Sequence, residues 1–269
     1  MDTALPMLAK QAPSPNIGFP MAFRRLLPVL CTLLLLAGSA LAADKPLTID
    51  DVVAKARAAL AADPAALAAV KTLQMEFSSV DDKGKSPSSM TLTLAAPALR
   101  HQRSIDDTSA VETVICAGRL EGWTTRLKDP VSRRELRVVN YAELRKLQDM
   151  ARDDLAFFAL PTSGGTAEYK GLTRVDGREV HAVHYAYDSG FRITRHFDAK
   201  TFALVASDQL TPTRELIRQT VVSTTKVDGV TFITKETIHV EGRKSGEVTY
   251  RKIQVNPAIP AGLFDFPTF

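Results

Sequence analysis

The chain has 269 residues, 45% of them apolar and 24% charged, with 34 basic against 30 acidic side chains and a formal charge of +4. That apolar share can build a packed core, and the mixed, nearly balanced charge excludes the basic blocks of a nucleic-acid binder. Two cysteines, Cys31 and Cys116, are too few for a disulfide framework.

The first element is "MAFRRLLPVLCTLLLLAGSALAADKP". Arg24 and Arg25 precede an apolar run from Leu26 to Ala37, and Ala40-Leu41-Ala42 supplies a small-x-small end. This is the build of a secretory signal. Pro28, Gly38 and that cleavage site set it apart from a membrane anchor. Cys31 lies too early for a lipoprotein signal, and Met21 is an alternative start to Met1. Residues 1–42 are therefore read as an N-terminal extension and cleaved signal peptide, and 43–269 as one domain, exported and soluble in the periplasm. Cleavage removes Lys10, Arg24, Arg25 and Asp2 and lowers the net charge from +4 to +2. It also leaves Cys116 alone, so stability must come from the core. In the apolar run "ETVICAGR" this cysteine reads as a small buried hydrophobe.

"LTIDDVVAKARAAL" predicts an amphipathic helix with a capping box, Thr48 at the cap and Asp51 three residues on. Ile49, Val52, Val53, Ala56 and Leu60 form its apolar stripe, and Asp63-Pro64 ends or restarts it. Its mixed polar face suits a lid on a sheet. Then Leu73, Met75 and Phe77 alternate with polar neighbours, and Met90, Leu92 and Leu94 do the same, the period-two pattern of half-buried strands. Further strands are expected at "ALRHQRSI", "VETVICA", "GWTTRL" and "RRELRVV". A second helix is predicted in "NYAELRKLQDMARDDLAFFALP", capped by Asn140, with Tyr141, Leu144, Leu147, Met150 and Ala151 on one face. Leu155, Phe157, Phe158 and Leu160 follow as an apolar knot. After "SGG" comes a meander whose runs are separated by turn signals such as Asp176-Gly177 and Asp228-Gly229.

Short turns between consecutive strands imply antiparallel neighbours, and one-sided strands imply a sheet covered on one face. So many twisted strands curl. The fold class expected is α+β: a strongly curved antiparallel sheet, an incomplete or half β-barrel of about ten or eleven strands, with helices covering the concave face. The apolar tail at Leu263, Phe264 and Phe266 is expected to close one edge, with Pro257, Pro260 and Pro267 preventing further pairing.

Three segments carry a family resemblance. "LTLAAPALRHQRS" resembles the strand, Pro, strand element of the LolA-like lipoprotein-carrier superfamily. "TVICAGRLEGWTTRLKDP" is similar to its strand, Gly turn, Trp and Pro. "VDGVTFITKETIHV…GEVTYRKIQVNPAIPAGLFDFP" is similar to its closing hairpin and tail. The likeness spans Thr48 to Phe269. It implies a half-barrel whose mouth is plugged by helices, with acyl chains received between them. The carriers hold their lid with an Arg just before the Pro of the first motif. Here that place is Ala96, so Arg100 or Arg103 would have to act differently.

The cavity residues implied are Met75, Phe77, Met90, Leu92, Leu94, Trp123, Leu144, Leu147, Phe157, Phe158 and Phe232, with methionines supplying adaptable walls. The same residues could instead fill a dry core. The expected function is a non-catalytic carrier or chaperone for lipid or lipoprotein acyl chains, monomeric and without cofactor. A membrane-bound donor or acceptor is its natural partner. The alternatives are an envelope-stress sensor that binds a partner protein, which calls for an exposed apolar patch beside the cleft, and an enzyme on the same scaffold. The enzyme would need polar groups converging in the cavity, such as His184, Tyr185 and Arg195. His181 and His184, three apart on a strand, point to opposite faces and cannot share a metal. The adjacent acid pairs, Asp153-Asp154 among them, are read as solvated.

Overall fold

A computed structural model describes residues 46–267 apart from 86, 106–111, 129–132 and 212. The signal segment, and with it the domain start at residue 43, lies outside them. Among the described residues, three helices, α1 (Ile49–Leu60), α2 (Pro64–Ala69) and α3 (Tyr141–Ala156), accompany thirteen strands. Six strands precede α3: β1 (Leu73–Asp81), β2 (Ser88–Ala95), β3 (Ala98–Ile105), β4 (Glu112–Ala117), β5 (Gly122–Leu127) and β6 (Glu135–Val138). Seven follow it: β7 (Gly165–Val175), β8 (Arg178–Tyr187), β9 (Arg192–Asp198), β10 (Leu204–Leu210), β11 (Leu216–Val227), β12 (Val230–Val240) and β13 (Arg243–Val255).

The strands form one open antiparallel sheet in the order β6-β5-β4-β3-β2-β1-β13-β12-β11-β10-β9-β8-β7. Two meanders are thus joined where β1 pairs with β13, and β6 and β7 are the edges. These edge strands flank α3 in sequence, so the helix carries the chain from one edge to the other across the inner face. At 1.5 Å per residue, its 16 residues span about 24 Å.

Thirteen strands exceed the ten or eleven expected. Not picked out as a run of its own is β7, whose alternation of Ala167 and Tyr169 breaks at Gly171, where φ is +88° and the register with β8 shifts. Such a bulge hides the period of two.

Local signals set the helix ends. In α1, Thr48 and Asp51 exchange bonds, Asp51 N–H to Thr48 Oγ1 at 3.2 Å and Thr48 N–H to Asp51 Oδ2 at 2.9 Å. Asp63 caps α2 ahead of Pro64, and Asn140 Oδ1 accepts from Glu143 N–H at 2.9 Å to cap α3. Two cores then pin the helices to the sheet. Around α1, Val52 and Ala56 pack with Phe158, Val183, Tyr185, Ile193 and Phe197. Around α2, Leu67 packs with Leu73, Leu94, Phe157, Val230 and Phe232.

The tail does not close an edge. Asn256, with φ +50°, ties the end of β13 to the segment before β1: its Oδ1 accepts from Lys71 N–H at 2.7 Å and its Nδ2 donates to Ala69 O at 2.9 Å. Phe264 and Phe266 then pack on Val114, Cys116 and Trp123 on the outer face of β4 and β5. An apolar patch on the solvent side of the sheet needs a cover, and the tail supplies it.

Candidate ligand cavity

Between the inner face and the helices lies a cavity of about 780 Å³, within the range of ligand sites. Cross-strand pairing builds its sheet wall. Met75 sits opposite Leu92, Phe77 opposite Met90 and Leu73 opposite Leu94, all on one face. Phe232, Ile238 and Val248 extend the wall across β12 and β13, and Leu147, Met150, Phe157 and Phe158 form the helical side.

Of the residues expected in the cavity, the structure brings together Met75, Phe77, Met90, Leu92, Leu94, Leu147, Phe157, Phe158 and Phe232. Trp123 and Leu144 lie elsewhere. Trp123 pairs across strands with Cys116, on the face opposite Ile115, and is covered by the tail. Leu144 fills a small separate core with Ala117 and Val139. Gly122 explains that placement: a Cβ there would come within 3.1 Å of Leu144 Cδ1 and of Val139 Cβ. The glycine lets α3 descend onto β5, and Leu144 is used up in that contact.

The lid is held without an Arg before Pro97. Arg57 Nη1, on α1, donates to the carbonyls of Ala156 at 2.6 Å and Phe157 at 2.7 Å. The buried Tyr185 Oη donates to Phe158 O at 2.9 Å. Phe157 and Phe158 both have left-handed backbones, φ +48° and +67°, and these bonds occupy the carbonyls that the helix end leaves free. Cys116, whose Sγ lies 3.6 Å from Phe264 O, is buried, and burial raises its thiol to about 12. It is inert packing.

The cavity also has a polar side that pattern reading missed. Asp153, read as solvated, is buried. It forms a bidentate pair with Arg195, one bond of 3.0 Å, and accepts from Tyr187 Oη at 2.6 Å. Arg195 also lies over the rings of Phe158 and Tyr185, at 5.1 and 4.9 Å. Asp154 lines the cavity too, and Glu236 on β12 accepts from Tyr250 Oη at 3.0 Å. Burial raises Asp154 to about 7, with Asp153 and Glu236 pushing the same way and Arg195 opposing. Burial likewise raises Glu236, against the hydrogen bond from Tyr250. A signal for Asp154 did exist: Leu147, Met150 and Asp154 fall at i, i+3 and i+7, so the acid continues the apolar stripe.

Of the polar groups named for an enzyme, Arg195 and Tyr185 meet but are each engaged, and His184 lies apart. Arg195 is neutralised by Asp153, Tyr185 holds a backbone carbonyl, and the Nδ1 of His184 meets Thr194 Oγ1 at 2.9 Å on the other face of the sheet. Among the described residues, no group of three His, Cys, Asp or Glu is placed to hold a metal. Among them, too, no helix is long and apolar enough to cross a membrane.

No family model and no curated protein matches the sequence. Solved structures do match the fold. A DUF1329 family protein from Desulfovibrio piger aligns over 81% of this chain and 97% of its own, with a TM-score of 0.52 at 12% identity. A LolA superfamily protein from Nitrosomonas europaea aligns over 82% of this chain and 98% of its own, also at 0.52, with 9% identity. The fold is LolA-like. At such identities the likeness is one of architecture, so the reading of the cavity rests on this chain's own residues.

Proposed function

We propose that the protein is an exported, non-catalytic carrier that receives the acyl chains of a lipid or lipoprotein in the cavity between sheet and helices. The observation that carries this reading is the cavity itself: about 780 Å³ walled mainly by apolar side chains under a lid. Burying a methylene is worth ~0.8 kcal/mol, so a chain of about fifteen methylenes has ~12 kcal/mol of drive to leave water. A carrier must also let go. Met75, Met90 and Met150 give walls that conform to a chain without gripping it. Exchange with a membrane-bound donor or acceptor follows from this chemistry, since lipid does not travel free.

The test is native mass spectrometry of the mature protein taken from a bacterial periplasm, followed by organic extraction. The carrier reading expects an added mass that extracts as lipid. A clean unliganded mass, with no uptake of lipid or acylated peptide, overturns it.

One observation favours a second reading, a regulatory module that docks on a protein. Leu120, Val138 and Tyr141 are 93%, 63% and 72% exposed beside the β5–β6 edge. Val138 pairs with Trp123, and Leu120 lies in the preceding turn, so they share one region. Capture of a partner that is lost with Leu120→Ser/Val138→Ser, by a protein that takes up no lipid, would establish it.

A further inference from the structure

The cavity holds more acceptors than its own donors use. Arg195 is committed to Asp153 through two hydrogen bonds. Glu236, 4% exposed, sits mid-wall, flanked by Val221 on β11 and Val248 on β13. Its hydrogen bond comes from Tyr250, to Oε1. The nearby lysine, Lys235, is turned to the other face, where it pairs with Glu247 at 2.7 Å. Asp154 forms no hydrogen bond or ion pair among the described residues. Its side chain is exposed among the residues that line the cavity, so an occupant that fills the cavity buries its carboxylate. A buried carboxylate without a partner is costly, and is found either neutral or paired. Water can serve these oxygens while the cavity is wet. A bound chain expels that water, and something must then meet the acids.

We infer that the cavity selects an apolar chain that carries a hydrogen-bond donor, an ammonium or an amide N–H, and that Asp154 and Glu236 are the acceptors that hold it. The inference rests on the carrier reading and names the chemistry of its cargo. The converse is as specific. A chain ending in a carboxylate would bring a third negative charge against two acids, and Arg195, the guanidinium beside them, is already neutralised by Asp153. The groups facing Asp154 are Asp153 on its own helix, Arg195 on β9, Glu236 on β12 and Tyr250 on β13; His101 and Arg103 line the β3 side of the cavity. An ammonium stays protonated up to pH ~10, whereas Asp154 ionises near pH 7. Affinity for an alkylamine therefore rises with pH, by about tenfold between pH 6 and pH 8, as one carboxyl loses its proton.

The experiment is displacement of diphenylhexatriene, a neutral apolar fluorophore, by dodecylamine and by dodecanoate at pH 8. It uses the mature protein and the variants Asp154→Asn, Glu236→Gln and their combination. Each affinity is read against the fluorophore for the same protein, so a variant that loses its cavity shows as loss of signal, and the single variants serve if the combination does not fold. The expected result is at least a tenfold preference for the amine, falling below threefold in the variants and weakening at pH 6. Equal affinities, a preference for dodecanoate, or a preference that survives both substitutions overturns the inference while leaving the carrier reading in place. Failure of the wild-type protein to bind the fluorophore or either amphiphile overturns both.

Discussion

Replacing Asp153 by Ala tests whether the lid is held to the sheet by a charge as well as by packing. The Asp153 and Arg195 side chains are 2% and 5% exposed, so the substitution strands a guanidinium in a site where water cannot replace the lost partner. Breaking one side of such a pair costs ~3–5 kcal/mol, and loss of the bond from Tyr187 adds ~1 kcal/mol. For a domain of this size 1 kcal/mol corresponds to ~2–4 °C, so the melting temperature should fall by ~8–24 °C. Asp153→Leu together with Arg195→Met removes both charges and keeps the volume, and should recover most of the loss. Urea denaturation of wild type, both single variants and the double variant at pH 7 gives the coupling energy directly. A single substitution costing less than ~1 kcal/mol, or a double variant worse than either single one, would refute the reasoning.

Other outcomes follow from the same physics. Removing residues 258–269 uncovers Val114, Cys116 and Trp123, so it should lower the melting temperature and make Cys116 reactive toward a thiol reagent that leaves the intact protein untouched; an unchanged melt and a silent thiol would contradict the outer-face role of the tail. Asp154→Asn should stabilise the unliganded protein at pH 8 but not at pH 4. The folded-state value of about 7 lies above the unfolded ~3.9, so the native state binds the extra proton and its stability falls as pH rises through that window. Equal effects of the substitution at both pH values would count against this. Gly122→Ala forces a methyl against Cys116 O at 3.0 Å and Leu144 Cδ1 at 3.1 Å, and should cost ~1–3 kcal/mol, partly relieved by Leu144→Ala. Thermal melts of the two single variants and the pair decide it.

Much of the inner wall was legible because one strand period carries it. Met75, Phe77, Leu92 and Leu94 alternate with polar neighbours, and alternation is enough to place them on one covered face. The cap of α1 was legible for the same local reason, since Thr48 and Asp51 need no knowledge of the rest of the chain. What pattern cannot tell is which face of the sheet an apolar residue serves when both faces are covered. Trp123 reads as a cavity aromatic until the tail is seen lying on the outer side of β5. Leu144 belongs to the stripe of α3 that reaches the cavity at Leu147, but one turn earlier the helix touches β5 through Gly122. Polar residues misled for a different reason. For Asp153 charge alone suggests solvent, and nothing in the alternation around Glu236 marks it as a cavity group. Their burial depends on Arg195 and Tyr250, partners about forty and fourteen residues away that only the folded sheet brings near.

The central claim is that the space between sheet and helices holds an apolar chain. It is tested most directly by photo-crosslinking with a diazirine placed mid-chain in an acyl lipid, followed by peptide mapping of the adducts. The account predicts labels on Met75, Met90, Leu92 and Phe232, suppressed when unlabelled lipid competes. Labels confined to the outer face around Leu120, Val138 and Phe264, or none that competition removes, would contradict it.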